Sequence, residues 1–270
     1  MVESNRKLIE ILKNVGIAIA GFSLTVGVCH RLNISNSISY GWINFCFILS
    51  IYSLQRIADK SNFHLKDLFI NFAVNTDYQL LFFFFCCGTI SFFCTVNFTF
   101  PIIILSALFL LIALGYTMPI FGKKLREIPY LKDWVIAGTW TFAIVLFPLL
   151  NEGLYQSEWI PFLLIFTLYI FALVIPFDVR DLYIDFRYQK TLPQLVGPSN
   201  ASLIAIFLIL IYFAVHFLVP FEQNNSFLIA LALGLMLQII LIYRIGFMNK
   251  EKQVPLLDWS IAIVGLSYLF

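Results

Sequence analysis

Trp159-Ile-Pro-Phe-Leu-Leu-Ile-Phe-Thr-Leu-Tyr-Ile-Phe-Ala-Leu-Val-Ile-Pro-Phe177 runs for nineteen residues without a charge, and Asp178-Val-Arg180-Asp181-Leu-Tyr-Ile-Asp185 follows at once. About 20 predominantly apolar residues make a helix that crosses the hydrocarbon of a bilayer. The stretch therefore reads as a transmembrane helix that ends abruptly in charge. The rest of the chain has the same character. Of 270 residues, 61% are hydrophobic and 12% charged, against about 25% charged in a soluble domain. There is too little polar side chain to cover a water-facing surface, so the bilayer is the solvent.

Outward from that run, apolar segments recur at 11–29, 38–58, 79–97, 99–118, 133–150, 159–177, 200–220, 226–246 and 254–270. This predicts an all-α, polytopic fold of about nine transmembrane helices. Met1 to Lys13 is too acidic and polar for a cleavable signal, so the first apolar run is expected to be retained. With nine spans, the N-terminus and the loops after spans 2, 4, 6 and 8 share one side. That side holds every Lys and Arg in the sequence except Arg31. Basic residues stay cytoplasmic, which places the N-terminus inside and the C-terminus outside. The longest inner loops follow spans 2, 4 and 6, and a site is expected there.

Five cysteines lie in or beside apolar runs without C-x-x-C spacing, and the three histidines are scattered. Neither set suggests a disulfide frame or a zinc centre. Asn44 and Gln238 are polar residues inside spans and are expected to hydrogen-bond between helices, with binding of a small molecule as the alternative.

Two loops carry chemistry. Asp178, Asp181 and Asp185, at i, i+3 and i+7, share one helical face if the helix continues. Carboxylates crowded at the edge of hydrocarbon are costly unless a cation offsets them. Oxygen-only ligands of this kind suit Mg²⁺, which binds through one or two carboxylates plus substrate phosphates. The second loop, Tyr116-Thr-Met-Pro119-Ile-Phe-Gly-Lys123-Lys124-Leu-Arg126-Glu-Ile-Pro129-Tyr-Leu-Lys132, offers cations for phosphate oxygens. Solvated anchoring at the interface is the competing reading of both loops.

The acidic stretch, with Thr191-Leu-Pro193-Gln-Leu-Val-Gly197 after it, resembles the second aspartate motif of the UbiA superfamily of membrane prenyltransferases. The Tyr116–Lys132 stretch, with Trp140 beyond it, is similar to the basic loop and helix that those proteins carry after span 4. The resemblance covers nearly the whole chain in layout, 1–270, as a single transmembrane domain. It implies helices around a central cavity in an integral membrane protein, expected in a bacterial inner (plasma) membrane. It also implies Mg²⁺-dependent transfer of an isoprenyl group from a polyprenyl diphosphate to a small aromatic acceptor. Asp178, Asp181 and Asp185 would be the catalytic metal ligands. Lys123, Lys124, Arg126, Lys132, Arg180, Arg56 and Tyr116 would meet the substrate.

The chain departs from the family in span 2. Ser53, Leu54, Ile57 and Ser61 stand where the first motif has Asn and three Asp. Tyr52, Arg56 and Asp59, at i, i+4 and i+7, form either a modified site, in which Arg56 takes over some of a metal's work, or the remnant of a lost one. Two further readings follow: a non-enzymatic lipid-binding or carrier protein that keeps the fold, and a terpene cyclase acting on an isoprenyl diphosphate. A carrier usually shows inverted repeats and Gly/Pro-broken spans meeting at the bilayer midplane. Here the acidic cluster lies at the inner interface and no charged residue sits clearly mid-span, which counts against a carrier.

Overall fold

In a computed structural model, residues 2–59, 76–93, 96, 98–117, 124–182, 190–218 and 224–270 are described. The fold is all-α. Its helices are α1 (Val2–Arg31), α2 (Ser37–Asp59), α3 (Thr76–Phe93), α4 (Phe100–Thr117), α5 (Leu131–Asn151), α6 (Ile160–Arg180), the short α7 (Leu192–Val196), α8 (Pro198–Val215), α9 (Asn225–Met248) and α10 (Val254–Ser267). Each expected span falls on one of these helices. Helix α1 starts well before its apolar run because Glu, Arg, Lys and Leu in the first turns are good helix formers.

Among the described residues, five helical stretches are long and apolar enough to cross a membrane: Ser37–Gln55, Leu131–Asn151, Ser157–Arg180, Pro198–Val215 and Asn225–Met248. Leu81–Ser91, Phe100–Tyr116 and Val254–Ser267 are apolar but shorter. The long candidates suggest a multi-pass integral membrane protein. In that setting the exposed side chains Phe84, Phe100, Phe207, Leu218 and Leu233 belong to the lipid-facing surface rather than to a defect in packing.

The helices close on themselves. Helix α1 packs against α2 and α10, α2 against α4, α4 against α5, α5 against α6, and α6 touches α10. These six enclose a space, while α8 and α9 pack behind α6 and α10 and α3 packs against α2. The seam between α1 and α10 is sealed by backbone contact. A Cβ on Gly27 would stand 2.0 Å from the carbonyl oxygen of Gly265, and one on Gly265 would stand 2.4 Å from the backbone of Leu24. Lipid offers no hydrophobic drive between helices, so close van der Waals approach at small residues is what holds such a seam.

Behind the cavity, α6, α8, α9 and α10 share a buried polar network. Gln238 donates to the Tyr169 hydroxyl at 2.9 Å, the hydroxyls of Tyr212 and Tyr268 bond to each other, and His216 Nε2 lies 2.6 Å from the Tyr268 oxygen. His216 Nδ1 sits 2.8 Å from the Tyr212 carbonyl, which can only accept. The proton is therefore on Nδ1, and Nε2 accepts from Tyr268. Gln238 thus bridges helices, as its place in span 8 implied.

Candidate functional site

Helix α5 begins where α6 ends, because the two run antiparallel and in contact. This puts Lys132, in the first turn of α5, opposite Asp178, in the last turn of α6. Their Nζ and Oδ1 are 2.7 Å apart, with side chains 14% and 0% exposed. A second buried carboxyl, Asp133, lies beside Asp178. One turn on, the Arg180 guanidinium grips Asp181 through two parallel bonds of 2.7 Å. Asp258 of α10 and Tyr52 of α2 are its further neighbours.

These groups sit at the charged end of a cavity of about 640 Å³. Lys13, Tyr52, Gln55, Tyr116, Arg126, Lys132, Asp178, Arg180, Asp181 and Asp258 line that end. Further in, the wall is apolar: Ile48, Ile51, Val135, Ile136, Trp140, Leu173, Val174 and Ile261. About 16 Å separates the two ends, since the eleven helical steps of α2 from Gln55 to Asn44 span it at about 1.5 Å each. The space is amphipathic along its length.

Sequence reasoning chose two loops, and the fold brings their residues together. Tyr116, Arg126, Lys132, Asp178, Arg180 and Asp181 all line this one space. The loops also meet at their edge, where Lys190 Nζ lies 5.6 Å from the centre of the Tyr130 ring. Lys124 is buried but is not part of the cavity wall; its backbone N–H is bonded to Glu127, capping a short turn at Leu125–Glu127. Lys123 and Asp185 lie outside the described residues. Arg56 belongs to α2, and its side chain lies outside them as well.

The shared face expected for Asp178, Asp181 and Asp185 depends on a helix that continues, and α6 stops at Arg180 with a turn at Asp181. Both described aspartates of the motif are held by cations. On α2, Ser53 is buried and bonds back to the Leu49 carbonyl at 2.7 Å, and Leu54 is buried too. Among the described residues, no three His, Cys, Asp or Glu gather closely enough to hold a metal ion. The described carboxylates thus do not fit a resident Mg²⁺ by themselves.

Three groups at the cavity were not singled out from the sequence, Lys13, Asp258 and Asp133 beside the wall, while Asn44, read there as a bridge between helices or a small-molecule contact, lines the wall. Asp258 was the most legible. It is a lone acid inside an apolar span, and such a residue is a functional candidate by default. It escaped notice because the boundary of the last span was weakly marked. The chain matches no family model, no curated protein and no solved structure.

Proposed function

We propose that this protein crosses a bacterial inner membrane nine times with its N-terminus inside, and transfers an isoprenyl group from a polyprenyl diphosphate to a small aromatic acceptor. The observation that carries this reading is the cavity, charged at one end and apolar over the rest. Its shape and chemistry suit a ligand with an anionic head and a hydrocarbon tail. Arg126, Lys132 and Arg180 would meet the diphosphate, with Lys132 and Arg180 released from Asp178 and Asp181 as phosphate oxygens take their places. Tyr116 and Tyr52 would flank the head, and Val135, Ile136, Leu173 and Val174 would hold the chain.

In the transfer step the allylic C1–O bond breaks and its electron pair leaves with the diphosphate. A bond forms from C1 to an aromatic carbon, and the ring then loses a proton. Cations fixed at the charged end favour the departing diphosphate, and nearby aromatic faces favour the positive carbon. Asp178 and Asp181, freed of their cations, are the bases within reach of that proton. Magnesium belongs to the proposal as the usual companion of a diphosphate; none of these steps is routed through it.

The test is diphosphate release by purified protein with magnesium, a panel of isoprenyl diphosphates and candidate phenolic acceptors. Release that needs Lys132 and Arg126 supports the reading, and no release from any diphosphate sinks it. One observation favours a second reading, a lipid-binding protein without chemistry. Both described aspartates are closed by cations, and α2 brings no described carboxylate to the cavity. Tight binding of a prenyl diphosphate without turnover would select it. Release without an acceptor would select a cyclase.

A further inference from the structure

The apolar end of the cavity carries a polar atom that helix packing does not use. It is exposed by a local defect in α5. Pro148 has no N–H and its ring collides with the carbonyl four residues back, which belongs to Ile144. Residues Phe142–Leu146 respond by widening into a π-turn, and the Phe147 N–H bonds to Phe142 instead of Ala143. The Ala143 carbonyl thereby loses its α-helical donor. The residue five further on, its donor in a π-turn, is Pro148 and has none to give. Asn44 of α2 takes the vacancy: its Nδ2 donates to Ala143 at 3.0 Å and to Thr25 Oγ1 of α1 at 2.8 Å.

These bonds fix the amide. A carbonyl accepts only, so the atom facing Ala143 is the nitrogen. The Thr25 hydroxyl spends its own proton on Gly21 at 2.7 Å and also accepts from Asn44. Both N–H groups of Asn44 are therefore committed to holding α1, α2 and α5 together. Its Oδ1 has no bond among the described residues. Asn44 is 5% exposed and lines the cavity, so the surface it keeps is cavity surface. The walls beside it, Phe47, Ile48, Trp140 and Ile144, are apolar and partly aromatic.

We infer that Asn44 Oδ1 is a recognition point for an uncharged hydrogen-bond donor, the hydroxyl of a flat ring lodged between Phe47 and Trp140. A purely hydrocarbon tail would leave this acceptor desolvated and unpaired, which is unfavourable. An ammonium group would be a lone charge far from the carboxylates at the other end, which is worse. A phenolic ring satisfies both the oxygen and the aromatic wall. The inference rests on the cavity and not on the transfer chemistry. Binding is measured without diphosphate, so its failure and the failure of transfer are separate results.

The test uses the full chain in detergent with two probes of equal shape, 1-naphthol and 1-methylnaphthalene. Both are measured by equilibrium dialysis, with partition into empty micelles subtracted. The expected result is a preference for naphthol of about tenfold, the worth of one neutral hydrogen bond. Asn44→Leu should abolish the preference. Thr25→Val, which frees the amide to rotate, should reduce it by about threefold and keeps the test alive if the leucine variant does not fold. Equal affinity in the native protein overturns the inference, as does a preference that survives in folded Asn44→Leu or that stays at its native size in folded Thr25→Val.

Discussion

Lys132 and Asp178 illustrate how a single pair serves both architecture and chemistry. Burying two charges costs several kcal/mol each, and attraction offsets this only while both are present. Replacing Lys132 by Ala should therefore lower stability by about 3–5 kcal/mol, because it strands Asp178 beside Asp133. Thermal unfolding in detergent would read this as a large drop in midpoint. Lys132→Met with Asp178→Leu should recover much of the loss, since the Asp178 carboxylate is then no longer stranded. A double variant as unstable as the single one would mean that the pair does not act as a unit. The Arg180–Asp181 pair differs, with side chains 38% and 26% exposed. Exposed pairs contribute little, so Arg180→Ala should leave the unfolding midpoint nearly unchanged while diphosphate release, if present, is lost.

At the scale of elements, two helix seams make separate predictions. Helices α1 and α10 touch backbone to backbone at Gly27 and Gly265. Gly265→Val should force them apart and cost at least about 2 kcal/mol, as overpacking does, while a substitution to valine on the lipid face of the same helix, such as Ile263→Val, should cost little. The π-turn in α5 is the other seam. With Pro148→Ala, an N–H becomes available to Ile144 and the ordinary α-register can close, returning Phe147 to Ala143. Asn44 would then lose a partner. A double-mutant cycle of Pro148→Ala with Asn44→Leu should show coupling of about 1 kcal/mol, and additive effects would mean that Pro148 does not set the position of Asn44.

For the whole molecule, the proposed topology predicts which face each connection occupies. Gln156→Cys, between α5 and α6, should react with a membrane-impermeant maleimide on intact cells. Lys250→Cys, between α9 and α10, should react only after the membrane is opened. The same labelling from both positions on one side would refute an odd number of crossings between them. Arg31, the one basic residue expected outside, lies over the Phe227 ring at 4.2 Å, away from the cavity's charged end.

Sequence alone was enough to determine where the helices lie along the chain, though not every end of them. Long uncharged runs have few alternatives to a helix in lipid, where every backbone group must bond within its own segment. It also marked the loops that hold Arg126, Lys132, Asp178, Arg180 and Asp181, together with Lys123, Lys124 and Asp185, because charge at the edge of hydrocarbon is costly unless it is offset. Which charge meets which was decided only by tertiary structure. The i, i+3, i+7 rule joins Asp178, Asp181 and Asp185 on an unbroken helix, whereas α6 stops at Arg180 and the antiparallel start of α5 supplies Lys132 from 46 positions away. Asp258 reaches the site from the far end of the chain. The role of Asn44 was equally hidden. Its nitrogen does what a polar residue in a span is expected to do, but the freedom of its oxygen follows from a proline on another helix.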